Sequence, residues 1–278
     1  MEDTDYYATE PIEDANNDEE AVDEYTEECK KRTAELRDKD LFTQPNSSCF
    51  GDCPICCLPL PIEPSKLNMT PCCSKIICLG CGYANVKREI EARLEHKCLF
   101  CREPVPKSVK EAARNGMKRA KKNDPAALSQ LGKLRQAKGD HATAFIYFTK
   151  AAKLGDALAH ANLAGMYSRQ GVEKDVKKHI YHLEEAAIGG HPEARHRLGC
   201  EESLNGNFER AKKHFIIAAN LGYCDSLKTI KGLYELGCAS KEEYADALHA
   251  CQAAVDATKS PERELGAVAM KNGRFKLT

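Results

Sequence analysis

The strongest constraint on the fold of this chain is a set of closely spaced cysteine pairs in its N-terminal half. Three pairs have the spacing Cys-x-x-Cys, and the members of a fourth pair are adjacent. The eight residues are Cys53 and Cys56, Cys72 and Cys73, Cys78 and Cys81, and Cys98 and Cys101. A Cys-x-x-Cys turn presents two thiolates to one tetrahedral zinc ion, so each pair supplies half of a site. The eight cysteines therefore predict two bound Zn²⁺ ions.

The wider use of cysteine bears on the compartment. The chain has 15 cysteines in 278 residues, which in a small secreted protein would indicate disulfides. No charged start followed by an apolar run directs export, and no stretch approaches the roughly 18 consecutive apolar residues of a membrane span. We therefore expect an intracellular protein, cytoplasmic or nuclear, with no membrane segment. In a reducing compartment, dense cysteines are better explained as metal ligands than as crosslinks.

The N-terminal segment differs in charge from the rest of the chain. Residues 1–28 contain thirteen acidic residues and no basic one, which leaves 41 basic and 29 acidic residues for the remainder. Residues 1–45 are also poor in branched apolar side chains and show no sustained period, so they predict a disordered acidic tail, with a frayed helix at most over residues 22–37. Two roles are open for this tail: it is a solvating segment with no further role, or it binds a partner.

Beyond Pro125 the sequence repeats itself with a period of 32–35 residues. An Ala-Ala motif at residues 151, 186 and 218 has a degenerate fourth copy at 253, and a second marker recurs as Leu131-Gly132, Leu163-Ala164 and Leu198-Gly199. Each unit holds two short helices, whose small residues allow close approach. Three equivalent large side chains fill the space between units: Phe148, Leu183 and Phe215. Because no unit has a core of its own, the pattern predicts a stacked α-solenoid over residues 125–256.

The second unit carries the features of a known repeat. With Leu163, Tyr167, the Ala-Ala pair and Gly190, and with residues 171–175 between its helices, it resembles the Sel-one-like repeat, a tetratricopeptide relative. The order of the cysteines, with a helix before the last pair, resembles the RING family in its all-cysteine form. Together these resemblances imply a mostly α protein: a small cross-braced two-zinc RING module, residues 46–106, followed by an α-solenoid of helix-hairpin repeats.

The RING resemblance implies an interleaved pairing of the ligands. Cys53, Cys56, Cys78 and Cys81 would bind one zinc ion, and Cys72, Cys73, Cys98 and Cys101 the other. Sequential pairing, as in independent zinc ribbons, is the alternative. Adjacent ligands require a bent backbone, so His96 or Cys57 could replace one member of the Cys72–Cys73 pair, although both are expected outside the coordination shell. Cys29 and Cys49 are expected to be free thiols.

The same resemblance implies a ubiquitin ligase that binds a ubiquitin-conjugating enzyme and ubiquitin, and selects a protein substrate or partner through the solenoid. Ile55 and Leu99 would contact the conjugating enzyme, and Arg102 would be the "linchpin" that donates hydrogen bonds to both proteins. Leu99 stands where a proline is usual, and the chain has no tryptophan. The alternative function is therefore a non-enzymatic zinc-stabilised scaffold for protein interactions.

The sequence also predicts the structure of three further segments. Residues 83–95 are expected to form the helix of the zinc module, residues 107–124 a basic helical linker, and residues 257–278 a C-terminal tail. The linker lacks interleaved aromatic residues, so binding of nucleic acid is not expected. Eight of the nine histidines fall in the repeats, where they are expected on helix surfaces. Four further cysteines are expected to pack between helices: Cys200, Cys224, Cys238 and Cys251.

Overall fold

The structure is a computed structural model that describes residues 38–168 and 174–272. The predicted frayed helix at residues 22–37, Cys29 and most of the acidic tail lie outside the described residues, as does most of the segment between the two helices of the second repeat.

The described residues are mostly helical, as predicted. A short 3₁₀ turn, Pro64–Lys66, precedes an antiparallel hairpin of β1 (Leu67–Met69) and β2 (Ile76–Cys78), in which Asn68 pairs with Ile77. The helices are α1 (Asp38–Leu41), α2 (Leu79–Glu91), α3 (Val109–Ala120), α4 (Pro125–Ala137), α5 (His141–Lys153), α6 (Ala157–Ser168), α7 (Val176–Ile188), α8 (Pro192–Leu204), α9 (Phe208–Asn220), α10 (Asp225–Glu235), α11 (Lys241–Ala257) and α12 (Pro261–Lys271).

Helices α4 to α11 form consecutive hairpins that stack on one another, which confirms the predicted solenoid. Aspartates cap several of these helices: the side chains of Asp124, Asp140 and Asp175 accept hydrogen bonds from the first turns of α4, α5 and α7. The glycine four residues after the first alanine of the Ala-Ala motif has a positive φ, of 82° at Gly155 and 79° at Gly190. That left-handed conformation ends the helix and explains why the motif ends in glycine.

The core between the paired helices matches small residues with large ones. Phe148, Leu183 and Phe215 are each fully buried, as the repeat register predicts. A Cβ atom added to Gly199 would lie 2.6 Å from a ring carbon of Phe215, and Gly132 has the same relation to Phe148. In the second repeat the two positions are Ala164 and Leu183, which share one buried cluster. The second repeat therefore combines a larger small residue, alanine in place of glycine, with a smaller partner, leucine in place of phenylalanine.

The prediction that the repeat histidines lie on helix surfaces is wrong for several of them, because His160, His179, His182 and His214 are buried. His160 Nε2 lies 3.2 Å from the carbonyl oxygen of Ala152, which can only accept a hydrogen bond. In a neutral ring its Nδ1 then accepts from His182 Nδ1, at 3.0 Å. Burial, followed by the charge of His160, lowers the pKa of His182 well below its ordinary value.

This histidine pair makes stability dependent on pH. His182 binds a proton near pH 6.5 in the unfolded chain but only at lower pH in the folded chain, so its contribution to stability is complete above about pH 6.5 and is lost as the pH falls. We expect the free energy of unfolding in urea to drop between pH 6.5 and 5.5, by up to about 1.4 kcal/mol per pH unit for this group. His182→Gln retains a donor towards His160 and does not titrate, so its slope should be shallower. Equal slopes for the two proteins, in which the metal sites are the same, would contradict the assignment.

Two segments that were predicted to be tails contain helices in the structure. Residues 38–45 are not part of a featureless tail, because α1 places Leu41 in the cluster between α6, α7 and α8, where its carbonyl oxygen accepts a hydrogen bond from Arg195. Phe42 beside it lies under the charged groups of Arg210 and Lys213. The predicted C-terminal tail contains α12, whose start is marked by the Ser260 cap and by Pro261.

The structure also differs from the prediction for two helices, in the surroundings of one and in the bounds of the other. The basic segment forms α3, which packs on α4 through Met117 and Ala120 as the first layer of the solenoid and is not a free linker. The helix predicted at residues 83–95 begins at Leu79, directly after its cap Cys78, and ends at Glu91. Cys200, Cys224, Cys238 and Cys251 pack around helices α8 to α11 as expected, but Cys224 and Cys251 also form a disulfide, a crosslink that was not predicted from the sequence.

Candidate metal centre

The structure brings the eight paired cysteines together in two groups of four. Within each group the sulfur atoms all lie within 4.8 Å of one another. The first group is Cys53, Cys56, Cys78 and Cys81, and the second is Cys72, Cys73, Cys98 and Cys101. The groups alternate along the chain, so the placement is the interleaved one and not the sequential alternative.

The donor set of each group suits a tetrahedral metal ion. Four sulfurs at about 2.3 Å from a central zinc would be separated by about 3.8 Å. The Cys56 and Cys78 sulfurs are 3.9 Å apart, and those of Cys73 and Cys98 are 3.6 Å apart. All eight cysteines are free thiols. Each group could therefore hold a metal ion, and a set of four thiolates is typical of structural zinc sites.

Three turns with the same hydrogen bonds present most of these ligands. Each turn begins at a residue X whose amide donates to the carbonyl oxygen of X+5, while the amide of X+4 donates to the carbonyl oxygen of X. X is Cys53, Thr70 or Cys98. Residue X+4 has a positive φ in all three turns: 55° at Cys57, 57° at Ser74 and 60° at Arg102. The fourth pair is built differently, because Cys78 caps α2 and accepts from the amide of Cys81 at 3.4 Å.

The comparison of the three turns explains why the candidate ligands Cys72 and Cys73 are adjacent in the sequence. In the second turn Thr70 stands where the first cysteine of a Cys-x-x-Cys turn would be, and its hydroxyl oxygen lies 3.1 Å from the Cys73 sulfur. Cys73 occupies the position of the second cysteine of such a turn, and Cys72 would supply the ligand that Thr70 cannot. The pattern Thr-x-x-Cys was the sequence signal for this turn. Cys57 and His96 are in neither group.

His96 and Cys49 have other environments. The Nδ1 atom of His96 pairs with the buried carboxylate of Glu89, which links α2 to the segment that enters the last turn. Cys49 lies outside both groups, and burial raises the pKa of its thiol to about 12. Cys49 is therefore a protonated thiol at neutral pH, as expected for a cysteine that is not a ligand.

The electrostatics of three of the first-group sulfurs favour a cation between them. Burial opposes ionisation of Cys56, but hydrogen bonds from the amide of Leu58 and the guanidinium of Arg263 outweigh it and lower the Cys56 pKa to about 7. Burial raises the pKa of Cys78, and burial together with the neighbouring sulfurs raises the pKa of Cys81. Cys56 therefore ionises readily, while Cys78 and Cys81 would need a positive ion nearby to ionise.

The residues predicted to contact a conjugating enzyme lie on two of the turns. Ile55 is 44% exposed, Leu99 is 36% exposed, and Arg102 is exposed directly after the last ligand. A shallow pocket of about 60 Å³ lies between α2 and the last turn, with Asn85, Val86 and Leu99 in its lining. Another face of α2 is covered, because Leu79, Tyr83 and Val86 pack against α12.

A larger cleft separates the cysteine module from the repeats. It has a volume of about 870 Å³ and lies between the β1–β2 hairpin and the first helices of the three repeats. Leu67 and Met69 line one side, and Lys133, Asn162 and Arg197 line the other. Its size lies in the range of sites that hold a ligand or a segment of a partner.

In the part of the chain that the structure describes, none of the helices has the length and apolar character to cross a membrane.

Comparison with known families and proteins assigns only the repeats. No curated protein sequence matches the chain. The family model of the Sel1 repeat matches residues 125–156, 157–191 and 192–223. These are the hairpins α4–α5, α6–α7 and α8–α9 with their turns, so residues 125–223 carry three consecutive Sel1 repeats.

Proposed function

We propose that residues 46–106 form a RING-type module that binds two zinc ions and acts as a ubiquitin ligase, with the Sel1 repeats binding the protein substrate or partner. The observation that carries this proposal is the interleaved order of the two four-cysteine groups. It is supported by the exposure of Ile55 and Leu99 on the turns and of Arg102 after the last ligand.

The chemistry asked of such a module is positioning. It would hold a conjugating enzyme so that the thioester of its bound ubiquitin is kept in the orientation that a substrate lysine attacks. Ile55 offers an apolar side chain between two ligands of one group, where the turn limits its motion. Arg102 offers a planar group with several donors, which can reach ubiquitin and the conjugating enzyme together. Zinc would hold the two turns in place.

The repeats add a surface for a protein partner. Solenoids of helical hairpins present extended surfaces that bind other proteins. The cleft of about 870 Å³ has charged, polar and apolar residues on the repeat side and mostly apolar residues on the hairpin side. A partner held there would lie next to the cysteine module, which is the arrangement that a ligase needs to bring a lysine to the bound conjugating enzyme.

We expect the full chain to form ubiquitin chains when it is mixed with activating enzyme, ubiquitin and a panel of conjugating enzymes. Ile55→Ala and Arg102→Ala should each lower the rate by at least about tenfold, because central contacts of an interface are commonly worth 2 kcal/mol or more. Lys66→Ala, which changes an exposed side chain of the same module, serves as the control. The full chain is required because α12 packs on the module. No chains from the wild type, or equal rates for the variants, would contradict the mechanism.

A scaffold without ligase activity is the second candidate. Leu99 occupies the usual proline position, and α12 covers the face of α2 that carries Tyr83 and Val86, so less of that helix is free for a conjugating enzyme. The same assay separates the two functions. A scaffold would retain bound partners in a pull-down but would not transfer ubiquitin with any conjugating enzyme in the panel.

A further inference from the structure

The C-terminal helix α12 crosses α2 at a very short distance. A Cβ atom added to Gly80, between Cys78 and Cys81, would lie 2.6 Å from the backbone nitrogen of Arg263. One added to Gly266 would lie 3.0 Å from the Cα atom of Gly80. The two helices therefore meet through glycines, and the ligand pair at the start of α2 touches the end of the chain.

Arg263 extends from this crossing to the first turn of the module. Its side chain is nearly buried, at 9% exposure. Nη1 donates to the carbonyl oxygens of Pro59 and Thr258, both at 2.7 Å. Nη2 donates to the carbonyl oxygen of Leu58 at 3.1 Å and to the sulfur of Cys56 at 3.3 Å. One guanidinium thus joins α12 to the backbone of the turn and to a ligand of the first group.

The charge of Arg263 makes this contact informative. A nearly buried guanidinium needs a counter-charge, because an uncompensated buried charge is strongly destabilising. The ionisable partners that the structure gives it are the sulfurs of Cys56 and Cys78, both in the first group, and a neutral thiol supplies no negative charge. Four thiolates around one divalent cation carry a net charge of −2, which would compensate Arg263. In the second group, the Cys73 sulfur has a neutral hydrogen-bonding neighbour, the hydroxyl of Thr70 at 3.1 Å.

We infer that α12 is a C-terminal clamp on the first metal site and that Arg263 is its positioning residue. This inference rests on metal binding in the proposed function and goes beyond it, because it couples the end of the chain to one of the two sites. Metal bound by the first group stabilises the docked α12, and the docked α12 raises the affinity of the first group for metal by the same factor. The clamp leaves Ile55, Leu99 and Arg102 exposed, so it holds the module without covering the proposed contact residues.

The test measures the two groups separately in the full, zinc-loaded chain. A chelator is added together with an alkylating reagent, and peptide mass spectrometry reports how fast each ligand cysteine becomes labelled. Arg263→Gln removes the charge but keeps a polar side chain. We expect the cysteines of the first group to be labelled about 10- to 100-fold faster, the usual effect of losing a group that hydrogen-bonds a metal ligand, while those of the second group are unchanged. Lys271→Gln, an exposed charge at the far end of α12, should behave as the wild type.

A second variant separates docking from charge. Gly266→Leu keeps Arg263 and every ligand but adds a side chain at the helix crossing, so it should displace α12 and weaken the first group in the same selective way. Hydrogen exchange should show the reciprocal effect, with faster exchange at residues 261–271 after metal removal from the wild type. Unchanged labelling in both variants, or equal acceleration of both groups, would overturn the clamp. A wild-type chain that binds no zinc would instead overturn the proposed metal binding itself.

Discussion

Cys53→Ser is expected to abolish zinc binding at the first group and to unfold the cysteine module while the Sel1 repeats stay folded. Cys53 is fully buried and is the first residue of a turn that supplies two ligands to that group. Zinc contributes on the order of 10–16 kcal/mol to the folding of small zinc peptides, and the module buries too few apolar residues to replace that contribution. Native mass spectrometry should count two zinc ions in the wild type and at most one in the variant.

Amide hydrogen exchange should show which residues unfold in Cys53→Ser. Amides of residues 49–106 should lose protection in Cys53→Ser, and so should those of α12, because its docking partner is lost. Amides of α4 to α9 should keep their protection, since those helices have their own buried clusters. Cys57→Ser is the matched control, because Cys57 is exposed and belongs to neither group. Two zinc ions and wild-type protection in Cys53→Ser would refute the assignment of this ligand.

Phe215→Ala is expected to destabilise the repeats by about 3–5 kcal/mol, the usual cost of removing a fully buried phenylalanine ring. The ring fills the space that Gly199 leaves open, so its removal leaves a cavity between the two helices. The change should lower the urea midpoint of the zinc-loaded chain, followed by circular dichroism at 222 nm. Phe208→Ala is the same substitution on the same helix at a residue that is 40% exposed, and it should cost less than about 1 kcal/mol. Equal losses in the two variants would contradict the packing argument.

The repeats themselves supply a further control. The second repeat uses Ala164 and Leu183 where the third uses Gly199 and Phe215. Gly199→Ala alone should cost about 1–3 kcal/mol, because its Cβ atom would overlap the ring of Phe215. Combining it with Phe215→Leu recreates the pair of the second repeat, so the double variant should be more stable than the sum of the two single changes predicts. Strict additivity would show that the two positions do not pack as a unit.

Much of the fold and of the candidate site was predictable because the signals are local or periodic. The Cys-x-x-Cys spacing reports a turn of four residues, and the eight predicted ligands are the eight that the structure brings together. The repeat period placed Phe148, Leu183 and Phe215 at equivalent positions, and all three are buried. The interleaved order, however, came from a resemblance and not from spacing, because short turns do not reveal which pairs meet.

The surroundings of polar residues were harder to predict. The histidines of the repeats were expected on surfaces, since imidazole is polar, but His160 and His182 satisfy one another inside the solenoid. Such pairing depends on two helices whose facing residues cannot be identified without the superhelical geometry. The same holds for Leu41 and Phe42, which look like part of an acidic tail in the sequence yet pack against α7 to α9.

The sequence by itself determined the candidate ligand cysteines and the repeat units of this protein, because each rests on residues within one turn or one repeat length of each other. Only the tertiary structure decided that α12 returns to the cysteine module. Arg263 lies 207 residues from Cys56 and 204 from Pro59, and no local pattern records a contact over that distance. The physical reason is that a contact between distant segments is set by the path of all the stacked helices between them, which brings a buried guanidinium to the sulfur that can compensate its charge.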